Sequence, residues 1–135
     1  MNGPTHVVGH RHPDTDSVCS AIAYAHLKAL LGDSHVWPAR AGALNDETRY
    51  VLTRFALPEP ELLTSGTGRR LILVDHNEVA QAVNDIEHAT ILEVWEHHRV
   101  GDLHVPQPIV FHCEPVGATA TLIADLPKFK AALET

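Results

Sequence analysis

The sequence predicts an α/β protein built on a mostly parallel, five-stranded sheet flanked by helices. Three observations lead there. Short β-branched runs alternate with segments of helical spacing, the pattern of β-α units whose crossovers place helices on the faces of a parallel sheet. The clearest run, Leu71 to Val74, is apolar throughout, as in a strand covered on both faces. No repeat, low-complexity tract or linker divides the 135 residues, so residues 1–135 are expected to form one domain with one core.

The elements follow in order. "THVVGH" reads as the first strand, ending at Gly9, with residues 10–16 as the loop at its carboxyl end. "SVCSAIAYAHLKALLG" places Val18, Ala21, Ile22, Ala25 and Ala29 at helical spacing, with Asp16 or Ser17 as cap and Gly32 as the stop. "HVWPARAG" is a second strand that Pro38 confines to an irregular or edge position. "NDETRYVLTRFAL" opens on an Asn or Asp cap, sets Tyr50, Val51, Arg54 and Phe55 near one helical face, and stops at "PEPE". "RRLILVDHNE" is a strand ending in Asp75, and a short helix through "VAQAVNDI" leads to the strand "ATILEVWEHH". "PIVFHC" is the last strand, and "EPVGATATLIADL" begins a final helix that Pro127 kinks or breaks.

Composition excludes several function classes. A formal charge of -7 opposes nucleic-acid binding, which needs a basic surface against phosphates. No apolar run approaches the ~18 residues of a membrane span, and the first residues lack a basic start and apolar middle, so a soluble, cytoplasmic protein is expected. Cys19 and Cys113 lack paired zinc-ligand spacing and are expected as small buried hydrophobes. Histidine stands out with 11 copies, of which His26, His35, His88, His104 and His112 sit singly in ordinary segments.

The remaining polar groups concentrate where strands end. One strand ends in His10 with Asp14 and Asp16, another in Asp75, and a third in His97 with His98. In a parallel α/β sheet these carboxyl ends share one rim, where ligands bind. Imidazole and carboxylate ligands suit manganese, cobalt or zinc, and a carboxylate can bridge two ions. Two such ions ~3.5 to 4 Å apart activate water and stabilise an in-line phosphoryl displacement. Arg11, His12 and His76 adjoin these residues without a spacing that demands a ligand role.

"GHRHPDTDSVCSAIAYA", "LVDHNE", "EHHR" and "EPVGATAT", in that order and spacing, resemble the N-terminal domain of family II inorganic pyrophosphatases, the manganese-dependent branch of the DHH phosphoesterases. The resemblance implies that His10, Asp14 and Asp75 hold one metal and Asp16, Asp75 and His97 a second. His98 then contacts the phosphate under attack, with Arg99 beside it. It implies two manganese ions, with cobalt possible, magnesium arriving with the substrate, hydrolysis of pyrophosphate to two phosphates, and a homodimer formed through this domain. Two departures accompany it. Glu96, beside the bulky Trp95, stands where the family has Asp; its extra methylene is expected to alter metal affinity without removing the site. The family's C-terminal domain, with its remaining metal-binding aspartate and substrate-binding lysines and arginine, has no counterpart in residues 1–135. A non-catalytic metal-binding and dimerisation module, or a phosphoesterase acting on another phosphoester, are the alternative readings.

Overall fold

The computed structural model describes residues 3–133. Its strands are β1 (Thr5–Val8), β2 (Val36–Arg40), β3 (Glu61–Leu62), β4 (Arg70–Val74), β5 (Thr90–Glu96) and β6 (Val110–Cys113). The helices are α1 (Thr15–Leu30), α2 (Asp46–Arg54), α3 (Thr119–Ala124) and α4 (Pro127–Leu133). The strands form one sheet in the order β3-β2-β1-β4-β5-β6, every neighbouring pair parallel. The β1–β4 pairing therefore sits centrally, which is why Val7, Val8 and all of Leu71 to Val74 are buried.

Alternation divides these side chains between two apolar layers. Val7, Ile72 and Val74 face α1 and α3 and pack with Ala21, Tyr24 and Ile123. Val8, Leu71 and Leu73 face the other way, onto Val83, Ile86 and Val94. That second layer is covered by irregular chain: the expected helix over "VAQAVNDI" is instead two short 3-10 turns, Val79–Gln81 and Ile86–His88. The path leaves the helical region at Ala82, whose backbone is extended, and again at Asp85, in the left-handed region at φ 62°.

Three further expectations change. The sheet has six strands because the two-residue β3 pairs with Ala39 and Arg40 of β2. Pro38 consequently lies inside the sheet order, yet β3 begins beyond it, so at Pro38 the outer side of β2 has no ladder to interrupt. In α2, Asn45 provides the expected cap, accepting from Thr48 N at 2.8 Å. The buried residues of that helix are Thr48 and Leu52, whereas Tyr50 and the following Phe55 are exposed. Cys113 is exposed, because β6 is the open edge of the sheet, and Cys19 is half-buried. The final helix is broken: α3 ends at Ala124 and Pro127 starts α4, as its missing N–H allows at a first helical position.

A bulge in β5 creates a feature that the sequence does not predict. Leu71 pairs with Ile91 but Ile72 pairs with Glu93, so Leu92 is the extra residue. The slip reverses the alternation: Ile91 belongs to the second layer, whereas Glu93 turns toward α1. There it accepts from Tyr24 Oη at 2.5 Å and Trp95 Nε1 at 2.9 Å, and pairs with Lys28 Nζ at 2.8 Å. Burial pushes the Glu93 carboxyl up, but the Lys28, Tyr24 and Trp95 bonds outweigh it and hold it below its ordinary range. Its contribution is therefore present above the ordinary carboxylate pKa and lost as pH falls through the lower folded value. Glu93→Ala is expected to cost on the order of 3 kcal/mol at neutral pH, because the buried Tyr24 and Trp95 donors and the half-buried Lys28 lose their partner. Urea denaturation checks this, and a cost below about 0.5 kcal/mol would make the network incidental.

Candidate metal centre

The centre is assembled at the carboxyl rim, where β1, β4 and β5 end. After β1 the chain passes Gly9, where an added Cβ would lie 1.5 Å from Ser17 Oγ. Only glycine lets the start of α1 approach the strand so closely. Asp14, rather than Asp16 or Ser17, is the N-cap of α1, its Oδ1 accepting from Ser17 N at 2.8 Å. Capping holds this carboxylate at the helix mouth, where His10 Nε2 lies 3.7 Å from it.

Asp75 follows β4 and is 1% exposed. Its backbone is in the left-handed region at φ 65°, pinned by its N–H donating to Trp95 O at 2.9 Å. A non-glycine residue held there stores strain, of a kind that clusters at functional sites. The two Asp75 oxygens face different histidines: Oδ2 is 3.3 Å from His10 Nε2, and Oδ1 is 3.0 Å from His97 Nε2. His97 Nδ1 donates to Val116 O at 3.0 Å, a bond that fixes its tautomer and leaves Nε2 as the ligand atom.

Asp16 lies 3.5 Å from His97 Nε2. Its oxygens accept from Thr119 N at 3.0 Å, Ala120 N at 2.8 Å and Ser20 Oγ at 3.2 Å. Thus "EPVGATAT" holds two site residues, His97 through a carbonyl and Asp16 through amides at the start of α3. His98 Nδ1 donates to Glu96 Oε1 at 2.7 Å. The same oxygen accepts from the His97 and His98 amides, while Oε2 accepts from Asn77 Nδ2 at 2.7 Å. The longer Glu96 side chain therefore meets His98 at ordinary hydrogen-bond length.

Two groups are close enough to hold a metal ion: His10, Asp14 and Asp75, and Asp75, Glu96, His97 and His98. Within each, one donor atom per residue lies within 4.8 Å of the others, and Asp75 belongs to both. Asp16, expected with Asp75 and His97, falls in neither group although it lies beside His97, while the Glu96 oxygens are already committed to N–H donors. The imidazole-and-carboxylate donor set fits a divalent ion of the borderline or hard kind. Electrostatics agree with this fit. Burial pushes the Asp75 carboxyl up, and Asp16 and Asp14 add to the rise against the opposing bond from His10. The bond to Asp75 raises His10 against its own burial. Burial also pushes the Asp16 carboxyl up, but the Ala120 and Thr119 amides outweigh it and leave it lowered. A buried carboxylate crowded by others is the situation a cation relieves.

A cavity of about 240 Å³ opens onto this rim, lined among others by His10, Arg11, His12, Asp75 and His98. The Arg99 side chain, 89% exposed, lies outside it and reaches Glu78 at 4.0 Å. His76 is fully buried, its Nδ1 donating to Val74 O at 2.9 Å, and burial pushes its pKa down to about 4. Its ring is thus built into the wall. Asn77, two residues after Asp75, is a site residue that no sequence pattern marks. It joins Glu96 to the loop after β5, donating to Arg99 O at 3.1 Å and accepting from Gly101 N.

Fold and site together define a parallel α/β domain whose strand ends gather two candidate metal groups around one shared aspartate. The chain belongs to the DHH family, whose N-terminal domain matches residues 4–134. Over 121 residues it is 55% identical to the manganese-dependent inorganic pyrophosphatase of Methanothrix thermoacetophila, covering 90% of this chain and 39% of that protein. It is 44% identical to a probable manganese-dependent inorganic pyrophosphatase of Archaeoglobus fulgidus, covering 91% of this chain and 42% of that protein. A crystal structure of a putative family II inorganic pyrophosphatase from Methanococcus jannaschii superposes with a TM-score of 0.82 at 45% identity, over 96% of this chain and 40% of that one. The chain thus spans about two fifths of the length of these relatives.

Proposed function

We propose that this chain is the metal-bearing domain of a manganese-dependent inorganic pyrophosphatase, hydrolysing pyrophosphate to two phosphates. The observation that carries the reading is Asp75, buried and presenting one oxygen to His10 and the other to His97. His10, Asp14 and Asp75 would hold one manganese and Asp16, Asp75 and His97 the second, with cobalt an acceptable substitute. Manganese so held supplies water activation at neutral pH and charge neutralisation for phosphoryl transfer, and magnesium accompanies the substrate. The protein's own contribution is positional. Asp75 sets the spacing of the two groups, Val116 O orients His97, and Glu96 turns His98 so that Nε2 is free for a phosphate oxygen.

In this reading residues 1–135 are one DHH domain, and the family's C-terminal substrate-binding domain lies outside them. The reading places the reaction in the cytoplasm. Among the described residues no helix is long and apolar enough to cross a membrane. A homodimer is supported by β6, whose exposed edge presents Val110 and Phe111. A second reading, a non-catalytic metal-binding and dimerisation module, is favoured by the scarcity of cations: among the described residues Arg11 is the one lysine or arginine lining the cavity. Phosphate release from pyrophosphate by the manganese-loaded chain separates the two. Turnover that vanishes on chelation is expected, and bound manganese without release would favour the module.

A further inference from the structure

Asp14, Asp16, Asp75 and Glu96 place four carboxylates at the centre, a charge that two divalent ions only balance. A pyrophosphate reaching the loaded centre still needs positive charge from the protein. Arg11 has the required placement. Its backbone N–H donates to Gln81 O at 2.8 Å and its Nε to Ala82 O at 2.5 Å. An added Cβ on Gly42 would lie 1.9 Å from Arg11 O, so Arg11 is also packed tightly from behind. These contacts pin the residue and, through Nε, the base of its guanidinium. They leave both terminal nitrogens without a hydrogen-bond or carboxylate partner among the described residues.

Five other cations differ in this respect, and Arg54, Arg69, Arg70 and Lys128, which also lack such a partner among the described residues, do not line the cavity. Lys28 pairs with Glu93, Arg49 with Glu59 and Lys130 with Asp125, while Arg40 donates to the Pro60 and Gly42 carbonyls. Arg99, near the rim, reaches Glu78. Building on the pyrophosphatase reading, we infer that Arg11 is a substrate-binding residue whose terminal guanidinium nitrogens grip a phosphate group beside the metals. A planar fork with fixed orientation matches two phosphate oxygens at once, which an ammonium does not.

The test uses the chain loaded with manganese and compares wild type with Arg11→Gln and Arg11→Lys. Calorimetric titration with inorganic phosphate is expected to show affinity reduced on the order of tenfold or more in Arg11→Gln, the worth of a charge-assisted bond. Arg11→Lys should recover part of it, and manganese affinity should stay within about twofold in both, as expected for a residue outside the ligand set. With pyrophosphate, KM should rise by a similar factor while kcat changes less, the mark of binding shared by ground and transition states. Equal phosphate affinity in Arg11→Gln and wild type would overturn the assignment, as would a wild type that binds no phosphate. Phosphate binding that depends on Arg11 in a chain that hydrolyses nothing would support the assignment while removing the pyrophosphatase reading.

Discussion

Asp75→Asn is expected to remove high-affinity manganese binding while making the metal-free chain more stable. The two effects share a cause. Burial, Asp16 and Asp14 hold the Asp75 carboxyl above its ordinary pKa, so ionising it costs more in the folded state than in the unfolded one. Stability of the metal-free chain therefore falls as pH rises from the ordinary carboxylate value through the raised folded value, and the penalty is complete above it. Asparagine keeps the shape and an accepting oxygen without the charge, so that loss should disappear. The same substitution deprives both candidate metal groups of their shared ligand. Manganese at a hundred times its Kd should stabilise the wild type by about 2.7 kcal/mol and leave the variant nearly unmoved. Urea titrations at pH 7.5, with chelator and with manganese, read both effects. A variant still stabilised by manganese like the wild type would refute the shared-ligand role, and a less stable metal-free variant would refute the electrostatic account.

What the sequence revealed and what it hid follow one division. Leu71 to Val74, Gly9 and the polar residues after each strand were legible because a covered parallel strand is apolar throughout and its carboxyl end is the ligand rim. Convergence of His10, Asp75 and His97 followed from topology alone. Features set by contacts distant in sequence were not legible. The two residues of β3 carry no periodicity, and they became a strand only by pairing with β2. The apolar spacing of Val79, Ala82, Val83 and Ile86 suits a helix, but the extended Ala82 and the left-handed Asp85 divide the segment. The cap of α1 was misplaced because Asp14, Asp16 and Ser17 are all good capping residues, and the path from Gly9 decides among them. The bulge that turns Glu93 inward leaves no local signal, since "ILEVW" alternates plausibly either way.

Glu96→Asp tests the departure that the sequence did reveal, and it should separate turnover from metal binding. Glu96 is fully buried, and its two oxygens answer four N–H donors: the His97 and His98 amides, His98 Nδ1 and Asn77 Nδ2. Its pKa reflects this, because those bonds hold the carboxyl below its ordinary range despite burial. Removing one methylene withdraws the oxygens by about 1.5 Å, enough to break a bond to His98 Nδ1 or Asn77 in a backbone set for Glu. Stability is expected to fall by about 1 to 3 kcal/mol for the donor left unpaired. In the proposed pyrophosphatase, a freed His98 ring should lower kcat about ten- to a hundredfold. Manganese affinity should change much less than in Asp75→Asn, since His97 keeps its Val116 bond and Asp75 is untouched. His98→Gln provides the comparison. It removes the imidazole itself, so it should spare manganese binding and lower kcat on the order of a hundredfold, the cost of one donor aimed at developing charge. If Glu96→Asp left both metal affinity and turnover unchanged, Glu96 would fill space without orienting His98. If it lost manganese as completely as Asp75→Asn, its carboxylate would itself be a ligand, and the proposed division between residues that hold metal and the residue that meets phosphate would have to be redrawn.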